Sequence, residues 1–238
     1  PNPTPEGVPS PITWSTTDAQ AVLLNDEPVT TSGTRSIQPI DGTLATLRLI
    51  NGACEITETT STPLSVDPLE IQHFTTDRDT VTAGESVTLG WEYNHALSPT
   101  HHTATLTNNR DSTALDVTNT TSQETQVDGP TTYTLTVTDT DGRVLAEATT
   151  TVETVPPARI DAFDAPPAQV CGPQPIPATW APTNATKLTL MPMSVNVTGQ
   201  TSHSLPINTT SDVYLIAENE TGHQVESHRV TITHTPIP

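Results

Sequence analysis

Residues Val81 to Trp91 (VTAGESVTLGW) constrain the fold of this chain more than any other stretch, because two weaker copies of them recur. Val87, Leu89 and Trp91 alternate with Ser86, Thr88 and Gly90, the period-two pattern of a strand with one apolar and one polar face. The second copy, VCGPQPIPATW, ends at Trp180 with Ile176, Ala178 and Trp180 in the same alternate places. The third, GVPSPITW, ends at Trp14 with Ile12 and Trp14 on one face. All three tryptophans thus share one position of a repeat, which predicts three units, each anchored by one buried indole.

Agreement continues downstream. About thirty to forty residues after each Trp comes an alternating strand that runs into a turn: Thr43 to Ala53, Thr131 to Arg143 and Ser211 to His223. The paired apolar positions are Leu47 and Leu49, Leu135 and Val137, Leu215 and Ala217. Gly52, Gly142 and Gly222 are the residues expected to take the positive φ of a tight hairpin. A last strand follows in each unit and ends in a proline-bearing connector, at Pro63 and Pro68, at Pro156-Pro157 and at Pro236.

The units run over residues 1–67, 68–155 and 156–238. Hydrophobic content of 32% and aromatic content of 3% in 238 residues are too lean for one large core and adequate for several small ones. Abundant Thr and Val suit half-buried strands, and 23 Pro and 11 Gly break the chain between them. Low hydrophobicity with a net charge of −19 also suits a disordered chain, but alternation recurring in register in three copies argues against that.

The AGESVTLGW strand followed by TTYTLTVTDTDG resembles the immunoglobulin-like repeats strung along bacterial and archaeal surface and fibre proteins. Residues 68–155 match that pattern well, 156–238 moderately and 1–67 weakly. The resemblance implies an all-β chain of three tandem immunoglobulin-like β-sandwich domains in an extended row, with a spacer, adhesive or fibre role. Leu135 and its equivalents stand where antibody domains carry a cysteine, so no intradomain disulfide between sheets is expected.

Before their Trp strands the second unit has Leu69, Ile71 and Phe74, and the third has Ile160 and Phe163. The proline-rich PNPTPEGVPSP that precedes Trp14 carries nothing similar, so the first strand of the first unit is missing or much reduced. An unpaired edge there invites strand addition by another chain, unless the proline-rich segment covers it. The THTPIP tail is a poor donor because of its prolines. That opening segment lacks a basic start and an apolar run, so the chain reads as a mature exported one, its leader removed.

Only two cysteines occur, Cys54 just past Asn51-Gly52 and Cys171 just before the third Trp strand. In immunoglobulin-like sandwiches these places lie at opposite ends, which puts Cys54 at the outer end of the first unit and Cys171 at the far end of the third. Sandwiches built from strands rising ~3.3 Å per residue would separate the two by on the order of 100 Å, whereas a disulfide needs α-carbons within about 7 Å. Copies stacked head to tail would bring the two together and propagate as a filament. A bond within one molecule, and two buried thiols serving as small apolar side chains, are the alternatives.

Asn119, Asn184, Asn196, Asn208 and Asn219 are candidate glycan acceptors in Asn-X-Ser/Thr sequons. The three units carry net charges of −6, −10 and −3, which disfavour nucleic acid and anionic membranes as partners. No catalytic residues and no cofactor are assigned, since nucleophile elbows, nucleotide loops and zinc-protease motifs are lacking. Asp139-Thr140-Asp141-Gly142 begins like a calcium loop but reads as a hairpin turn, and adjacent His101 and His102 point to opposite faces, so no metal site is assigned. The functional expectation is a non-enzymatic subunit of an extracellular filament whose partners are copies of itself, joined by an intersubunit disulfide and strand sharing. Its alternative is an adhesive or ligand-binding stalk segment of a larger cell-surface protein, touching glycans or a host surface.

Overall fold

The computed structural model describes residues 4–39, 43–111, 113–166, 169–171 and 174–235. All regular elements among them are strands, and no helix is long and apolar enough to cross a membrane. These strands belong to two compact units, one of Pro1–Asp77, Thr88–Glu124 and Thr131–Thr151, the other of Arg78–Val87, Thr125–Pro130 and Val152–Pro238.

In the opening segment the strands are β1 (Thr4–Pro5), β2 (Ser10–Ser15), β3 (Ala21–Leu24), β4 (Glu27–Val29), β5 (Ser32–Ile37), β6 (Leu44–Ile50), β7 (Ile56–Pro63) and β8 (Val66–Asp67). β2 pairs with β5, a second sheet runs β4-β3-β6-β7, and β1 pairs in parallel with β8. Val22, Leu24 and Ala45 are buried here, a small set for two sheets.

The middle segment contributes β9 (Ile71–Thr76), β10 (Thr80–Thr82), β11 (Glu85–Tyr93), β12 (His102–Asn108), β13 (Leu115–Asp116), β14 (Ser122–Val127), β15 (Thr131–Asp139) and β16 (Val144–Val155). Its sheets run β14-β11-β9 and β10-β16-β15-β12-β13. Strand β11 buries Val87, Leu89 and Trp91, and β15 buries Tyr133, Leu135 and Val137, as period-two alternation requires of sheets with one apolar face.

In the last segment β17 (Arg159–Asp164), β18 (Gln169–Cys171), β19 (Gln174–Thr183), β20 (Lys187–Met191), β21 (Val195–Asn196), β22 (Ser202–Ile207), β23 (Ser211–Glu218), β24 (Gln224–Glu226) and β25 (Val230–Thr235) repeat the arrangement. The sheets are β17-β19-β22 and β18-β25-β23-β20-β21, with β24 on β23. Phe163, Ile176, Trp180 and Leu205 from one sheet share a core with Leu188, Leu190, Leu215 and Ile232 from the other, which is a β-sandwich.

Strand order is the same in the last two segments: an edge strand (β9, β17) on the Trp strand, then a short parallel strand (β10, β18) on the final strand. The first segment keeps only part of this. β1 on β8 is the counterpart of the parallel rung, but among the described residues β2 has no edge strand beside it.

Candidate functional site

Without that edge strand the first pair of sheets is open along one side. A groove of about 590 Å³ runs between β2 and β7, lined by Ile12, Trp14, Leu24, Ala45, Leu47 and Leu49 among others. Trp14 is therefore not the buried anchor its alignment with Trp91 and Trp180 predicts. It is half-buried in the groove wall, its indole Nε1 donating to the Thr30 carbonyl at 2.8 Å, whereas Trp91 and Trp180 are each 4% exposed. Leu47 and Leu49 are also half-buried, although their equivalents Leu135, Val137, Leu215 and Ala217 are fully enclosed. Every residue of β7 is exposed, while the final strand of the middle segment buries Val152. Thr4 and Pro5 pair with Val66 and Asp67 rather than cover the groove.

Three hairpins share one construction. Each begins with a residue whose side-chain oxygen accepts the backbone N–H groups two and four residues on: Asn51 from Ala53 and Glu55, Asp139 from Asp141 and Arg143, Asn219 from Thr221 and His223, all at 2.9–3.1 Å. This Asx turn places its left-handed corner three residues after the acceptor. Gly142 (φ 78°) and Gly222 (φ 85°) occupy the corner as expected, but Gly52 does not; the corner of the first hairpin is Cys54, at φ 62°. A register set by Asn51 rather than by Gly52 explains the difference. Asp139 is thus held by its own turn, and among the described residues no three His, Cys, Asp or Glu side chains converge to hold a metal ion.

Two of these hairpins meet the tail of the preceding sheets. In the first junction the Glu6 carboxylate lies 3.8 Å from Arg143, which also pairs with Asp139 at 3.2 Å. His102 is enclosed beside them, 2% exposed. The Ser98 N–H donates to His102 Nδ1 at 3.1 Å, so Nε2 carries the proton and donates to the Glu6 carbonyl at 2.7 Å. In the second junction the Asn219 amide donates to Thr82 Oγ1 at 3.0 Å and to the Pro156 carbonyl at 3.2 Å, while the Thr82 and Thr221 hydroxyls lie 2.7 Å apart.

Loss of water on burial lowers the His102 pKa from its ordinary 6.5, opposed by the Glu6 carbonyl bond and helped by His95 and His101 nearby. An unfolded chain then takes up this proton before the folded one does. The contribution of His102 to stability is complete above about pH 6.5 and is lost as the pH falls below it. The melting temperature of the wild type is expected to drop further between pH 7 and pH 5 than that of His102→Gln. Equal drops would exclude His102 as the responsible group.

Sequence-level candidates distribute as follows. Asn119, Asn184, Asn196 and Asn208 are exposed, but Asn219 is buried with its amide nitrogen committed to the junction, which leaves no room for a glycan on the folded chain. Cys54 and Cys171 are both exposed, so neither serves as a small apolar core residue. The hairpin-to-tail contacts escaped sequence reasoning, although the spacing Asn51 to Cys54, Asp139 to Gly142 and Asn219 to Gly222 carried the register.

No protein-family model and no curated protein matches the chain. Solved structures similar to it include the three N-terminal domains of the bacteriophage RB49 highly immunogenic outer capsid protein, at 10% identity and TM-score 0.40, covering 98% of this chain and 99% of that one. The Ca2+-stabilised adhesin with which an Antarctic bacterium binds ice is similar at 15% identity and TM-score 0.41, over 97% of this chain and 69% of that one. Fibronectin(III)-like modules of Clostridium thermocellum CbhA are similar at 14% identity and TM-score 0.37, over 69% and 95%. Scores at this level carry no argument about partners or assembly. It is the chain's own strand order, with an edge strand on the Trp strand and a parallel rung on the final strand, that makes it an all-β chain of immunoglobulin-like sandwiches.

Proposed function

We propose that this chain is a non-catalytic stalk segment of an extracellular or cell-surface protein, built of domains 1–67, 68–155 and 156–238. The observation that carries the reading is the repeated junction. In both cases the tail of one set of sheets is fastened to the Asx hairpin of the next, by Glu6 with His102 and Arg143, then by Thr82 and Pro156 with Asn219. Short connectors clasped by buried polar contacts suit a spacer that resists bending more than a flexible tether does. NMR relaxation tests this: the middle and last sandwiches of a stiff stalk tumble with one correlation time, and two independent times would overturn it.

The open groove favours a second reading, a filament subunit that accepts an edge strand from a neighbouring copy. The middle sandwich indicates what would fit, since β9 lies along the corresponding edge there. A synthetic peptide of residues 69–77 is expected to shift Trp14 emission to the blue and raise the melting temperature of the full chain. A scrambled peptide should do neither, and equal effects from both would remove the strand-addition reading.

A further inference from the structure

The two junctions are fastened with different chemistry. Hydrogen bonds across the second run between the Asn219 amide, the Thr82 and Thr221 hydroxyls and the Pro156 carbonyl, groups that carry no titrating proton. The first is built around an imidazole. His102 is enclosed under the backbone of Gly7, where a Cβ would stand 3.0 Å from its Nε2 and 3.1 Å from Leu145 Cδ1. Both ring nitrogens are committed, Nε2 donating to the Glu6 carbonyl and Nδ1 accepting from the Ser98 N–H. Ser98 is fixed in turn, because its carbonyl accepts the His102 N–H at 2.7 Å. Thr140 adds a contact across the same joint, its hydroxyl donating to Gln38 Oε1 at 3.3 Å.

We infer that proton uptake by His102 releases the first junction, so that in mild acid the first set of sheets swings free of the middle sandwich while both stay folded. This regulates the stiff stalk proposed above and rests on that reading. Because Nε2 already carries a proton, a second one enters at Nδ1, which then points an N–H at the Ser98 N–H 3.1 Å away. That hydrogen bond is lost, and a charged ring is left without water. Hydrating the ring requires Glu6 and Gly7 to lift, since they lie over it. The open joint therefore takes up the proton more readily than the closed one, the direction in which burial already moves this histidine. Closure is complete above the ordinary value of 6.5 and is lost as the pH falls through the lowered value of the closed joint.

Other ionisable groups face the ring from each element around it. His95 and His101, on the loop before β12, disfavour charge on it, and Asp139 on the hairpin favours it. Arg143 pairs with that carboxylate and faces Glu6. Asp67 lies 3.7 Å from His95 Nδ1, so a proton on His95 would tighten the tail rather than free it. His102 is thus the group whose proton opens the joint, and His95 opposes it.

Amide relaxation of the full chain between pH 7 and pH 5, with the His102 ring signals followed in the same samples, tests this. At pH 7 the first and middle sandwiches are expected to share one correlation time. Toward pH 5 the first should take a shorter time of its own, with amide shift dispersion kept in both and a midpoint that matches the titration of His102. His102→Gln keeps a donor for the Glu6 carbonyl and cannot ionise, so it is expected to hold one shared time throughout. His95→Gln should release as the wild type does. A shared time in the wild type at both pH values would overturn the inference and leave the stalk reading intact, whereas separate times already at pH 7 would sink both. Release retained in His102→Gln, or loss of dispersed amide signals in place of separate tumbling, would also overturn it. If His102→Gln does not fold, the wild type decides alone, since a separation midpoint apart from that of His102 is fatal to the inference.

Discussion

Trp91→Ala is expected to unfold the middle sandwich by removing about 3 to 5 kcal/mol, while Trp14→Ala, the same change at the aligned position, costs less than half of that. Trp91 is 4% exposed, meets Phe74 edge-on with ring centroids 6.3 Å apart, and donates from Nε1 to the Thr120 carbonyl at 3.1 Å. Truncation leaves a cavity between the sheets and a carbonyl without its donor. Trp14 already faces an open groove, so its truncation enlarges solvent-filled space rather than creating a void. For a domain of this size each 1 kcal/mol moves the melting temperature by roughly 4 to 8 °C, which separates the two variants clearly by calorimetry or near-ultraviolet circular dichroism. Equal losses at both positions would mean that the first sandwich is closed in solution.

At the second junction the largest effect is expected from Asn219→Ala, about 3 kcal/mol. Its carboxamide is buried and makes five hydrogen bonds, two donated across the junction and three accepted within its own hairpin. Alanine leaves the Pro156 carbonyl and the Thr221 and His223 N–H groups without these partners, and each buried orphan costs about 1 to 3 kcal/mol before relaxation. Asn219→Asp separates the two halves of the role. Aspartate keeps the accepting oxygen, as Asp139 does in the middle hairpin, but it cannot donate to Pro156. The hairpin should therefore survive while the junction loosens, seen in relaxation data as separate correlation times for the middle and last sandwiches. If Asn219→Asp tumbled as the wild type does, the amide donors would not be what fastens the junction.

Much of this molecule was legible in its sequence because a strand advertises itself locally. Alternation over Val87, Leu89 and Trp91, and over Leu135 and Val137, needs only neighbours two residues apart to be read, and the chain is all-β as that alternation implies. The deficit before Trp14 was likewise visible as a missing apolar pair, and it appears in the structure as a strand that β2 lacks among the described residues. Burial, however, belongs to whatever lies across from a residue. Trp14 has the same local pattern as Trp91 and differs only because no edge strand covers it, so the alignment predicted an anchor where there is a groove wall.

Distant partners decided the rest. Asn219 reads as an exposed acceptor in a sequon, yet its amide is spent on Thr82, 137 residues away, and on Pro156, 63 residues away. Cys54 reads as the residue after a glycine turn, yet the Asn51 side chain shifts the turn by two residues and puts the thiol at the left-handed corner. By itself the sequence determined the strand class and the recurrence of the alternating Trp strand, since these follow from spacing along one chain. Only the tertiary structure decided which tryptophan is buried, which asparagine is accessible and which residue takes the left-handed corner after Asn51, because those depend on side-chain contacts that the folded backbone creates.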